Sequence, residues 1–198
     1  QKTGADFAKT TQVKSAVAYD KAKAKKLFEA GMKEAGQSQL NLTLLADDAD
    51  VSKQVAEYLQ GAFEDLPNVK VTIKSIPKAQ RLQAMMSGNY DMVVTGWQSI
   101  FADAYNFLDV WISNSSYNTS GYKDAKLDQL LSETETKYGN EPQKRWTMLQ
   151  DAEKILMKDQ GTLPLYQANN LELLRSSVKG VSFNPNGTPY DFKTAYIQ

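Results

Sequence analysis

The chain has 198 residues, 23 basic and 23 acidic side chains, and neither histidine nor cysteine. That length buries a sizeable core, the 41% apolar fraction excludes a disordered tail, and no apolar run is long enough to span a bilayer. Balanced charge argues against nucleic acid as a partner, and the two missing residue types remove disulfides, thiolate nucleophiles, zinc ribbons, iron–sulfur clusters, Ser-His-Asp triads and imidazole metal sites.

Residues 1–18 carry no clear period and read as a lead-in. The chain starts at Gln1 without an initiator Met or an apolar signal region, so it reads as a mature or truncated product. Asp20 is placed to cap a helix through about Glu34, with Ala24, Leu27, Phe28 and Gly31 on one face and Gly36 ending it. Strand and helix signals then alternate. Leu40–Leu45 is a short apolar strand, and residues 51–65 put Val51, Val55, Leu59, Ala62 and Phe63 on a helical stripe. Val69–Lys74 alternates strictly, and Pro77 opens a helix carrying Leu82, Met85 and Met86 that Gly88 closes. Tyr90–Thr95 is a third strand. This order predicts an α/β fold with a mixed, mostly parallel sheet and helices on both faces.

In the second half, residues 103–112 form a short helix with Ala104, Phe107, Leu108 and Trp111 inward, and Ser113–Gly121 is a polar loop. Helices follow at about 124–136, with Leu127, Leu130 and Leu131 on one side, and at 142–159, with Pro142 in the first turn. Leu163–Tyr166 and Leu171–Leu174 are strand candidates, and residues 175–198 form an irregular tail. With no repeat, low-complexity tract or flexible linker, residues 1–198 read as one compact αβ unit.

Ligands of open αβ sheets bind where crossover loops diverge at the carboxyl ends of strands. After the third strand come Gly96, which admits a close backbone approach, and Trp97, a broad apolar wall with one donor, followed by Gln98. The polar loop adds Asn118 and Thr119, residues that serve equally as turn chemistry. Asp47, Asp48 and Asp50 lack the glycine and distal glutamate of an EF-hand loop and suit a helix N-terminus better. No carboxylate pair stands out as an acid/base site, although glycosidase-like chemistry is the enzyme class that the composition leaves open.

Several segments together resemble the oligopeptide-binding proteins, the extracytoplasmic solute receptors of peptide ABC importers. Tyr19 to Gly31 resembles their "YDPxKAKxLLxEAG" segment. Gly88-Asn89-Tyr90-Asp91 followed by Gly96-Trp97 resembles "G-x-[YF]-D…GW", and Ser113 to Ser116 with Asn118, Thr119 and Tyr122 resembles the loop after it. Arg145, Gln150, Glu153, Asp159 and Leu163-Pro164-Leu165-Tyr166 resemble the closing tail.

The resemblance implies a periplasmic-binding-protein-like lobe, the C-terminal one of a two-lobe solute-binding protein that closes on an oligopeptide and hands it to an ABC permease complex. It implies no enzyme activity, no cofactor and no metal. The missing N-terminal lobe, and a lipid anchor at its start, would precede Gln1, as in a cell-surface lipoprotein of a Gram-positive bacterium or a periplasmic receptor. Implied ligand contacts are Gly96, Trp97, Gln98, Ile100, Asp103, Asn118, Thr119 and Tyr166. One departure stands out: where the family holds the peptide ammonium with an aspartate, this chain has Ile100, and isoleucine cannot pair with a cation. Either Asp103 takes over from three residues on, or a free N-terminus is not required. The departure also admits a non-peptide solute or a peptide pheromone as ligand; a glycoside hydrolase is the alternative from another class.

Overall fold

A computed structural model describes residues 6–169 and 171–198. In chain order the elements are α1 (Phe7–Thr11), α2 (Lys14–Val17), α3 (Lys21–Glu34), β1 (Leu40–Asp47), α4 (Asp50–Glu64), β2 (Val69–Ile76), α5 (Lys78–Met86) and β3 (Met92–Val93). Then come α6 (Tyr105–Leu108), continued by a 3-10 turn (Asp109–Trp111), α7 (Ala125–Glu135), α8 (Pro142–Lys158), β4 (Val178–Lys179), β5 (Ser182–Phe183), β6 (Tyr190–Asp191) and β7 (Tyr196–Ile197). Contacts group the chain into two compact units, Ala18–Gly96 and the remainder.

In Ala18–Gly96 the strands form a parallel sheet in the order β2-β1-β3, with Leu40 opposite Val69 and Leu44 opposite Met92. Right-handed crossovers in that order put α4 and α5 on opposite faces. Strand alternation agrees. Leu44 and Ala46 bury one face against Ala56 and Leu59 of α4, while Asp47 on the other face meets Arg81 of α5. Asp20 caps α3 as expected, its carboxylate accepting from Lys23 N–H at 2.9 Å. The helix phases differ from expectation. In α4 the inward residues are Val55, Ala56, Leu59 and Phe63, whereas Val51 is exposed. Inward on α5 is Arg81, whereas Leu82 and Met86 are exposed, because the Asp47 carboxylate compensates the buried guanidinium. The third strand is only two residues long. Asp91 Oδ2 accepts the Thr43 N–H at 2.8 Å, where a longer strand would offer a carbonyl, and Val94 N–H makes the last bond, to Leu45 O.

The other unit is built on α7 and α8. Leu127, Leu130 and Leu131 pack with Leu108, Met148, Leu149, Ala152 and Leu156. The lead-in is helical from Phe7; α1 and α2 are too short to display a period, and residues 1–5 of the expected lead-in lie outside the described residues. Phe7 meets Trp146 edge-on at 5.1 Å, and Gln150 donates to the hydroxyls of Thr10 and Thr11. Phe107, expected inward, is exposed, and Asn106 is buried instead, since the short helix tightens into the 3-10 turn and shifts phase.

Neither Leu163–Tyr166 nor Leu171–Leu174 is a strand. Both are runs without regular secondary structure, with exposed side chains. Strand propensity yields a strand only when a neighbour completes the ladder, and none stands beside them among the described residues. The tail, expected to be irregular, contains two small antiparallel ladders, β4 with β7 and β5 with β6.

Candidate functional site

In the unit Ala18–Gly96 the chain steps from β1 to β2 on one side and then to β3 on the other. The carboxyl ends of β1 and β3 therefore flank the switch point of the sheet. A buried cation organises this edge. Arg81, 3% exposed, donates from Nε to Asp47 Oδ1 at 2.9 Å and from Nη2 to Oδ2 at 3.4 Å. Its Nη1 donates to Thr95 Oγ1 at 3.0 Å. The end of β1, the exit of β3 and α5 are thereby tied to one guanidinium, a fork suited to binding several oxygens at once. Gly96 closes this unit. A Cβ there would meet nothing within 4 Å, so the unit's own packing does not require glycine at this position.

In the other unit, Trp97 opens a short loop. Its Nε1–H donates to the Asn106 carbonyl at 2.6 Å, and its ring stands edge-on to Tyr117 with centroids 5.1 Å apart. The indole is held on one edge and one side yet stays 38% exposed. Gln98 is exposed, and Ile100, 68% exposed, and Phe101 extend the apolar surface. Beneath them Asn106 Oδ1 accepts from Ile100 N–H at 2.8 Å and from the Ser99 hydroxyl at 3.1 Å, which also lies against the Phe101 carbonyl. The Gly187 N–H reaches Ser99 O at 3.4 Å. Neither Arg81 nor Asn106 was a candidate from sequence. A lone Arg on a helix reads as a solvated charge, and a lone Asn beside apolar neighbours reads as a surface polar residue.

Asp103 is already committed. Its Oδ1 accepts the Tyr105 N–H at 2.8 Å and its Oδ2 accepts Arg145 Nη1 at 2.7 Å, while Nη2 of the same guanidinium reaches Glu135 at 2.7 Å. Asn118 is occupied too. Its amide donates to the carbonyls of Tyr122 at 2.7 Å and Ile112 at 3.2 Å, and its Oδ1 accepts from Ser120, so its side chain closes the polar loop on itself. Thr119 adjoins it, its N–H donating to Tyr117 O at 3.0 Å. Tyr166 stands exposed in the irregular run after Gly161 and makes no hydrogen bond or ring contact with the other candidates. Trp97, Gln98, Ile100 and Asp103 thus share one loop, and Tyr117 joins it to the loop of Asn118 and Thr119.

Two neighbouring groups titrate away from their ordinary range. Burial raises the Asp109 carboxyl, moderated by its hydrogen bond with the Asn106 side chain, and Asp109 Oδ1 has no partner. Burial together with the bond to Asp159 at 3.0 Å raises the Tyr122 phenol. Among the described residues no cluster of three or more acidic side chains is arranged to hold a metal, and no helix is long and apolar enough to cross a membrane.

A small parallel sheet with a switch point, and an aromatic loop leaving its last strand, define a periplasmic-binding-protein-like ligand module. The chain belongs to the bacterial extracellular solute-binding proteins, family 5, whose model for the middle region matches residues 3–119. It is 35% identical to the dipeptide-binding protein of Lactococcus lactis, an alignment covering 99% of this chain and 36% of that protein. An oligopeptide ABC transporter substrate-binding domain from Bacillus anthracis superposes with a TM-score of 0.88 at 32% identity, covering 98% of this chain and 38% of the other. The pheromone receptor PrgZ superposes with a TM-score of 0.84 at 30% identity, covering 99% and 37%. The chain spans about a third of the length of these relatives. The family consists of solute-binding proteins rather than enzymes, with extracellular and periplasmic members.

Proposed function

We propose that this chain is the C-terminal lobe of an ABC-transporter substrate-binding protein, which captures extracellular oligopeptides between two lobes and delivers them to a membrane permease. Residues 1–198 form that lobe, and the parent protein sits outside the cytoplasm on a lipid anchor or in the periplasm. The observation that carries this reading is the Trp97 loop. An indole pinned by Asn106 and Tyr117 stays partly exposed beside Ile100 and Phe101, directly after a glycine whose Cβ position is empty. Such a surface offers an extended peptide main-chain approach at Gly96 and an apolar shelf for its side chains. Recognition of that kind depends little on ligand sequence.

The contacts expected to touch ligand are Gly96, Trp97, Gln98 and Ile100. Asn118 and Asp103 shape the loops around them, because their polar atoms are already spent. With Asp103 paired to Arg145 and Ile100 in the preceding place, a ligand's free ammonium has no unpaired carboxylate to meet in residues 97–103. That favours peptides whose amino end is not read here, and a short apolar peptide signal is the second reading.

The test is peptide binding by the full-length receptor. Trp97→Ala is expected to weaken affinity about tenfold, in keeping with the loss of a packed aromatic anchor. Unchanged affinity in calorimetry would remove Trp97 from the site. Native mass spectrometry of the receptor from its host identifies the retained ligand; a retained sugar or metal chelate would replace the peptide reading.

A further inference from the structure

We propose that Asn106 is the positioning residue of the ligand-contacting loop, setting where the Trp97 indole and the Ile100 main chain stand when a ligand docks. This rests on the reading of residues 97–101 as ligand contacts. Asn106 is 5% exposed and lies in α6, outside the loop that it organises. Three loop groups converge on it. Trp97 Nε1–H reaches its carbonyl at 2.6 Å, Ile100 N–H reaches Oδ1 at 2.8 Å, and the Ser99 hydroxyl reaches Oδ1 at 3.1 Å. The Asp109 carboxyl lies one helical turn on, and the Asn106 side chain moderates its raised pKa. Oδ1 thus accepts two bonds from the loop while the neutral amide faces an acid.

That set of partners demands an amide of this length. A carboxylate would accept from Ser99 and Ile100 but would repel Asp109. An apolar side chain would leave the Ile100 N–H short of its partner and the Ser99 hydroxyl with the Phe101 carbonyl alone. Glutamine would carry its amide oxygen one methylene past the loop. The Trp97 indole can turn or flatten if the Asn106 carbonyl moves, since Tyr117 meets it on one side only. Asn106 touches no ligand on this account. It fixes the angle at which the shelf is offered, so binding requires no ordering of the loop.

A swap separates positioning from general damage. In the double variant Asn106→Asp with Asp109→Asn, acid and amide exchange places: the carboxylate accepts from Ser99 and Ile100, and no second acid remains one turn on to repel it. The full-length receptor is compared with Asn106→Asp, Asp109→Asn, the double variant and Trp97→Ala. Retention of a random pentapeptide mixture is measured together with hydrogen exchange of the Trp97 indole N–H by NMR, the signal being assigned by its loss in Trp97→Ala. Asn106→Asp is expected to raise the half-saturating peptide concentration on the order of tenfold and to speed indole exchange, and the double variant to restore both. Normal retention and exchange in Asn106→Asp overturn the proposal. So does a double variant that stays impaired or fails to fold. If Trp97→Ala retains peptide normally, the ligand reading of the loop falls, and the positioning role in binding falls with it. If Trp97→Ala is impaired while Asn106→Asp is silent, only the role of Asn106 falls.

Discussion

Arg81 and Asp109 bury charge in opposite ways, and each has a measurable consequence. Arg81 is paired, so removing its partner strands a cation under α5. Asp47→Ala is expected to cost about 3 kcal/mol in urea unfolding, and Arg81→Met distinctly less, because that change leaves only a partly hydrated carboxylate. Asp109 is half-buried, with Oδ1 out of solvent and unpartnered, so the folded chain holds its proton more tightly than the unfolded chain does. Its ionised form therefore burdens the fold at neutral pH, and the burden lifts as pH falls through the raised pKa towards the ordinary carboxyl range. Glu153, raised by burial, acts in the same sense. Asp109→Asn is expected to raise the melting temperature at pH 7 and to flatten part of the gain seen as pH falls from 7 towards the ordinary carboxyl range; a steeper gain would contradict this. Gly96 and Trp97 were legible as candidates because a strand end points to them. Arg81 and Asn106 were not. The direction of a polar side chain depends on its partner, and Asp47 lies 34 residues from Arg81.

Helix ends, by contrast, were readable because capping is local. α3 and α5 end in the same way. Gly36 and Gly88 take φ of +65° and +70°, and the next residue's N–H returns to a carbonyl five positions back, Gln37 to Met32 and Asn89 to Ala84. Gly88→Ala is expected to cost about 1 kcal/mol in denaturant unfolding, since a Cβ there opposes the left-handed backbone. Gly96→Ala, with open space at its Cβ, should leave stability unchanged and lower peptide affinity; the reverse pattern would deny Gly96 its place in the site. What the sequence left hidden at this scale were phase and partner. One residue of rotation put Asn106 inside and Phe107 outside. The apolar runs 163–166 and 171–174 look like strands in isolation and lack the neighbour that would make them so.

At the scale of the whole molecule, the same runs mark an exposed stretch of backbone. Residues 162–169 and 171–174 make no hydrogen bond among the described residues, and their leucines and tyrosine are exposed. Brief chymotrypsin treatment of the isolated chain is expected to cut there first, read by fragment masses; first cuts inside α7 or α8 would contradict this. The isolated chain should also bind peptides far more weakly than the full-length receptor, because it spans about a third of its relatives. The alternation of strands and helices made the parallel sheet predictable. The grouping into two units was not predictable, because no linker separates them.

That grouping has a practical consequence. The backbone leaves one unit after Val17 and returns to it at Trp97, so Ala18–Gly96 is one continuous segment with a hydrophobic cluster of its own. Such a segment is suited to exchange between homologues, because each unit keeps its own core. Chimaeras joined at these two junctions are therefore the natural currency for asking which half of the chain sets ligand preference.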